Sequence, residues 1–146
     1  MSNQDEAQIR QLIEEKAAAL RARDADRMIA AYAPDVVQFD LAPPLRHVGP
    51  EVRDATSLRT WLAGFHGPMD MEVRDLVVTV GGDVAICHSL NCLTATPQGM
   101  TESFSLWFRV TLGLRRHDGT WLISHEHEST PFEMDGSFRA SVDLKP

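Results

Sequence analysis

Apolar positions change period partway along the chain, from a spacing that suits helices to one that suits strands. Ile9, Leu12, Ile13, Lys16 and Leu20 recur at helical spacing and predict a helix over about residues 5–23. Asn3 is its candidate cap, with Glu6 three residues later. Asp24 then caps a shorter helix through about Tyr32, with Met28, Ile29 and Tyr32 facing in, and Ala33-Pro34-Asp35 stops it. Val36 to Leu41 reads as a short strand, broken by Ala42-Pro43-Pro44. Gly49-Pro50 opens a third helix, since proline suits the first helical turn. Val52, Leu58, Trp61, Leu62 and Phe65 give that helix an apolar side, and Gly67-Pro68 ends it.

The remaining pattern alternates. It predicts strands at about 71–80, 83–95, 101–115 and 120–130, joined by turns at Gly81-Gly82-Asp83, Pro97-Gln98-Gly99 and His117-Asp118-Gly119. The order is three helices, with one short strand among them, then a four-strand antiparallel meander. The expected fold is α+β: a cone-shaped curved sheet wrapped around three N-terminal helices, with one open end.

The chain has 146 residues, which fits a single domain over 1–146, with a core of about 5–132 and a C-terminal tail over 133–146. A net charge of -7 argues against nucleic acid and against an anionic membrane surface. No apolar run reaches the roughly 20 residues of a membrane helix, and the polar start MSNQDEAQIR is not a signal peptide. Cys87 and Cys92 are five apart in one strand, hence on opposite faces. They read as reduced core thiols, and the expected compartment is the cytoplasm.

Two strands carry a polar face. Ser105, Trp107, Arg109 and Thr111 share one side of the third long strand, and Phe104, Leu106, Phe108, Val110 and Leu112 the other. Parity does not say which side is inside. In the last strand, Trp121, Ile123, His125, His127 and Ser129 alternate with Leu122, Ser124, Glu126 and Glu128. Apolar packing of Trp121 and Ile123 is expected to draw both histidines inward. Imidazoles at i and i+2 suit acid–base work or a shared ligand. A zinc site would need a third ligand, for which His47, His88, Asp40 and Glu126 are the candidates. The plain alternative is a histidine pair hydrogen-bonded within the sheet.

Asp40 ends the first strand. At the mouth of an apolar pocket its pKa would rise by desolvation, as suits a base that removes a proton beside a carbonyl; otherwise it caps the turn. Lys16 lies on the apolar stripe of the first helix, where it either snorkels to solvent or points inward to pair with Asp40 or a ligand anion. Arg109, flanked by Trp107, suits a carboxylate clamp. Asn91 offers an orienting amide, and Phe39, Trp61 and Thr111 complete the expected lining.

The segment Asp118-Gly119-Thr120-Trp121-Leu122-Ile123-Ser124-His125-Glu126-His127-Glu128-Ser129-Thr130-Pro131-Phe132 resembles the final hairpin of SnoaL-like domains with an HEHxSxPF ending. Ser89-Leu90-Asn91 and Trp107-Phe108-Arg109-Val110-Thr111 resemble the preceding strands of that subgroup. The resemblance runs from about Glu6 to Phe132 and implies the nuclear transport factor 2-like superfamily. The hairpin is also similar to the association domain of calcium/calmodulin-dependent kinase. Val37-Gln38-Phe39-Asp40 matches the place where ketosteroid isomerase carries its general-base aspartate. The oxyanion tyrosine of that enzyme would fall at Lys16 and its second oxyanion acid near Thr111, so neither donor type is kept.

Three readings follow. The first is an enzyme needing no cofactor, doing isomerase, cyclase or lyase chemistry on a small apolar carbonyl compound. Asp40 is its base, His125 or His127 assists, and Arg109 or Lys16 holds developing charge. The second is a ligand-binding or assembly domain without turnover. The third is a metal-dependent enzyme at His125 and His127. Under the first two readings a homodimer through the sheet is expected, with the apolar side of the strand Phe104 to Leu112 as its contact.

Overall fold

The computed structural model of the chain describes residues 2–146. Helix α1 spans Ser2–Arg21, α2 Ala25–Ile29 and α3 Ala55–Leu62, with a 3-10 turn at Gly49–Glu51. The strands are β1 Tyr32–Phe39, β2 His47–Val48, β3 Phe65–Gly81, β4 Val84–Pro97, β5 Phe104–His117 and β6 Thr120–Ser129. They form one sheet in the order β2-β1-β6-β5-β4-β3. Strands β3 to β6 are the expected meander. The sequence pattern did not reveal that β1 pairs parallel with β6, extending the sheet past the last hairpin. Free edges at β2 and β3 leave the sheet unclosed.

Several boundaries differ from expectation. Helix α1 starts at Ser2, so Asn3 lies inside it rather than capping it. Asp24 does cap α2, accepting the Arg27 N–H at 3.2 Å. That helix ends at Ile29, and Tyr32 to Asp35 belong to β1, where Tyr32 pairs with Ile123. The third helix is split: a 3-10 turn follows Val48, and α3 begins only after Asp54, which accepts the Thr56 N–H at 2.9 Å. Strand β3 runs through Gly67 and Pro68 from Phe65. Its register shifts between His66 and Asp70 and between Arg74 and Val77, and such bulges bend a strand.

The core lies between the concave sheet face and the helices. Ile9, Ile13 and Leu20 of α1 meet Cys87 and Leu93 of β4 and Phe108, Val110, Leu112 and Leu114 of β5. This settles the face of β5. Its apolar side is the core, and Trp107, Arg109 and Thr111 stand on the convex side. The expected dimer contact through Phe104 to Leu112 is therefore corrected: Phe108, Val110 and Leu112 are buried within the chain itself.

The face of β6 is not constant. Leu114 pairs with Ile123, yet the next residue, Gly113, pairs with His125, leaving Ser124 as an extra residue. One extra residue flips every later side chain to the other face. Trp121 and Ile123 are buried as expected, but beyond the bulge Glu126 is the buried residue and His127 is exposed. The expectation that both histidines point inward is corrected for this reason.

Cys87 and Cys92 are buried and free. Burial pushes the Cys87 thiol up to about 11, which suits an inert core residue. The tail folds back on the sheet: Ser141 is buried, its N–H donating to the Pro131 carbonyl at 2.7 Å. No helix of the described residues is long and apolar enough to cross a membrane.

Candidate active site

After its bulge, β6 directs Glu126 and Glu128 to the concave side. Glu126 is almost fully buried. A lone charge there would be prohibitive, so its partners matter. Tyr32 donates its hydroxyl to Oε1 at 2.7 Å, and Gln38 donates its amide to the same atom at 2.6 Å. Lys16 Nζ stands 3.4 Å from Oε2 and 5.1 Å from the centre of the Tyr32 ring. Lys16 therefore points inward, as one sequence reading held, but its carboxylate is Glu126 rather than Asp40.

The electrostatics follow. Burial works against the Glu126 charge, but Lys16 and the two hydrogen bonds override it and hold the carboxyl below its ordinary value. Burial likewise opposes the Lys16 charge, and Glu126, Tyr32 and Glu128 together more than compensate, raising its pKa. Burial and the neighbouring Glu126 anion push the Tyr32 hydroxyl well above its usual range.

Glu128 is in the opposite condition. Burial and the Glu126 anion raise its pKa well above the carboxylate range, and the neighbouring Asp40 carboxyl raises it further. The contact comes from strand pairing: Phe39 is registered with His127, so Asp40 and Glu128 are the next residues along two neighbouring strands. Asp40 also accepts the Leu41 N–H at 2.7 Å, the turn-capping role of the simpler reading.

Asp40 and Glu128 lie in an open cleft of about 830 Å³. Phe39, Leu41, Pro43 and Leu45 form apolar wall around them, and the loop after β1, with its cis Pro43-Pro44 bond, closes one side.

The other predicted residues are dispersed. His125 is on the convex face, where Nδ1 meets the Val37 carbonyl at 2.7 Å. Phe39 packs its ring edgewise on His125 and His127, at centroid distances of 4.7 and 5.3 Å. Among the described residues, no three His, Cys, Asp or Glu side chains form a metal-ligand set, so the pair lacks the third ligand that reading required. Arg109 is exposed and donates through Nε to Ser129 Oγ at 3.1 Å. Trp107 carries Arg74 over its ring at 4.6 Å. Thr111, paired with His88, shares the convex face. Trp61 is on the surface of α3 against Phe65. Asn91 faces inward and accepts from Ser89 at 2.8 Å. Of the predicted set, Asp40, Phe39 and His127 meet in one cleft.

Glu128, Tyr32 and Gln38 were given no site role from the sequence, and Glu126 only that of a candidate zinc ligand. A signal for the glutamates was present: Gly113 sits inside a strand pattern, and an isolated strand glycine often marks a bulge.

A family model of the SnoaL-like domain matches residues 9–133. An NTF2-like protein of unknown function from Pseudomonas putida KT2440 is 38% identical, with 100% of this chain and 99% of that chain covered and a TM-score of 0.86. A putative scytalone dehydratase from Novosphingobium aromaticivorans is 14% identical over 95% of this chain and 92% of that one, with a TM-score of 0.78. A putative calcium/calmodulin-dependent protein kinase II association domain from Xanthomonas campestris is 20% identical over 83% and 84%, with a TM-score of 0.70. The last two likenesses concern the fold. No curated protein matches the chain.

Proposed function

The chain belongs to the SnoaL-like domain family, and we propose that it is a cofactor-independent acid–base enzyme acting on a small, mainly apolar carbonyl compound. The observation that carries this reading is the meeting of Asp40 and Glu128 in an apolar-walled cleft. A pair holding one proton is both a base and an acid. The Asp40 carboxylate takes the proton from carbon beside the carbonyl. The Glu128 carboxyl gives its proton to the carbonyl oxygen, making an enol, or to a leaving hydroxyl, which departs as water. The first outcome is isomerase-type, the second lyase-type. The description of one fold neighbour as a putative scytalone dehydratase is consistent with the second. Below the pair, Lys16, Tyr32 and Gln38 fix Glu126 as a permanent anion that favours the neutral form of Glu128.

The test is hydrogen–deuterium exchange and dehydration of a panel of cyclic ketones and β-hydroxyketones in deuterated buffer, followed by NMR. Turnover with Asp40→Asn and Glu128→Gln each slower by about 10²-fold or more supports the reading. Undiminished exchange in both variants, or no turnover across the panel, would transfer the chain to the binding class.

A second reading, self-association without turnover, has its own observation. Val77, Val84 and Ile86 are exposed on the convex face. We propose a homodimer through that face rather than through the apolar side of β5. One fold neighbour is described as a putative association domain. A monomer by light scattering at micromolar concentration would count against it. A cytoplasmic setting remains part of the proposal, on the strength of the two free thiols.

A further inference from the structure

Arg109 and Trp107 stand apart from the cleft just described, on the other side of the sheet. Between the C-terminal tail and the sheet lies a second cavity of about 190 Å³, whose lining includes Leu90, Trp107 and Arg109 from the sheet and Leu144, Lys145 and Pro146 from the tail. Its exposed surface is mostly apolar, yet it carries two cations. Arg109 uses Nε on Ser129 and leaves its two terminal nitrogens free to form a two-pronged contact. Among the described residues, neither Arg109 nor Lys145 forms an ion pair. A third guanidinium, that of Arg74, lies over the Trp107 ring while paired with Glu72.

A chain of net charge -7 has ample carboxylates for its cations, and here two stay unmatched beside an apolar cavity. From this juxtaposition we propose a second binding site, for a small organic monocarboxylate: the carboxylate on Arg109 and Lys145, the apolar body between Trp107, Leu90 and Leu144. The volume sets the size, because pockets for drug-sized ligands begin near roughly 300 Å³. A single aromatic or short aliphatic acid fits, and a steroid-sized body does not. Both cations are near solvent, so affinity is modest and falls with salt. Since Leu144 and Lys145 come from the tail, binding also holds the tail against the sheet. The site is independent of the acid–base reading.

Calorimetric titration of the full chain with sodium benzoate, at constant ionic strength, tests it. Saturable binding of one benzoate per chain is expected, weakened at least tenfold in Arg109→Gln and unchanged in Asp40→Asn. Leu144→Ala should weaken it by a smaller factor while leaving the charge in place. Benzamide, neutral and of the same shape, should not bind. Each of four outcomes would overturn the proposal: no saturation, equal affinity for benzamide, undiminished affinity in Arg109→Gln, or loss in Asp40→Asn, which would put the acid in the other cleft. Inorganic phosphate displacing benzoate at equal concentration would also overturn it, since charge alone would then explain the binding. Circular dichroism of Arg109→Gln, a change at an exposed position, confirms that the variant is folded.

Discussion

Glu126 and Glu128 are two residues apart on the concave side of β6, and their pKa values are pushed in opposite directions. Both are driven toward the neutral form by burial. Glu126 escapes because Lys16, Tyr32 and Gln38 all stabilise its charge. Glu128 does not, because its neighbours are the Glu126 anion and the Asp40 carboxyl. Environments that separate the pKa values of adjacent carboxyls also assign acid and base roles.

Removing the anion should be costly. In Glu126→Gln, Lys16 keeps its charge in a largely buried position with no carboxylate, a loss of roughly 3 kcal/mol. Urea denaturation would measure it. Adding Lys16→Met should cost less than the sum of the single changes, because the buried cation leaves with its partner. Additive losses would mean that the two side chains do not depend on each other.

Stability should pass through a maximum as pH changes. Glu126 has a folded pKa below its ordinary 4.5, so its stabilising contribution is present above that value and is lost as pH falls through the folded one. Glu128 is raised, so its contribution is present below the ordinary value and is lost as pH rises through its folded pKa. Replacing Glu128 by Gln keeps that position neutral. Stability of Glu128→Gln relative to the native chain should therefore increase from about pH 5 to about pH 9, in a urea series. A difference that stays constant over that range would show that Glu128 titrates normally.

Catalysis on the proposed scheme should have an alkaline limb set by Glu128. Replacing Glu126 by Gln removes an anion that raises the Glu128 pKa, so the limb in kcat/KM should move to lower pH. Lys16→Met removes a cation that lowers it, so the limb should move to higher pH. Shifts in the same direction for both variants would contradict the charge arrangement.

Much of the fold was legible in the chain, because alternation and turn residues report local geometry. The meander and the Asp24 cap follow from spacing alone, whereas for Lys16 the spacing left snorkelling and an inward direction both open. The parallel β1–β6 pairing did not, since it joins residues such as Phe39 and His127 that are far apart in sequence. The site was half visible. Asp40 was marked by its place at the end of a strand before two prolines. Its partner Glu128 was assigned to the wrong face, because alternation was carried unbroken through Ser124.

That extra residue lets Ile123 and Glu126 share the concave face although they are three apart, and deleting it tests what the bulge contributes. Without Ser124, His125 follows Ile123 directly, and the ladder Leu114–Ile123, Gly113–His125, Leu112–Glu126 runs unbroken. Alternation from Trp121 then still places Glu126 and Glu128 on the concave side and both histidines on the convex side. Lys16 and Tyr32 keep the carboxylate they share, so the deletion should leave the domain folded, at a cost of about 2 kcal/mol or less. Ser124→Ala keeps the extra residue and loses only a hydroxyl bonded to the Gly113 carbonyl at 3.2 Å, so it should cost about 1 kcal/mol. Thermal denaturation of the two variants side by side measures both costs. A deletion that leaves the chain unfolded while Ser124→Ala melts near the native chain would show that the bend made by the bulge, and not only the choice of inward side chains, holds β6 in place.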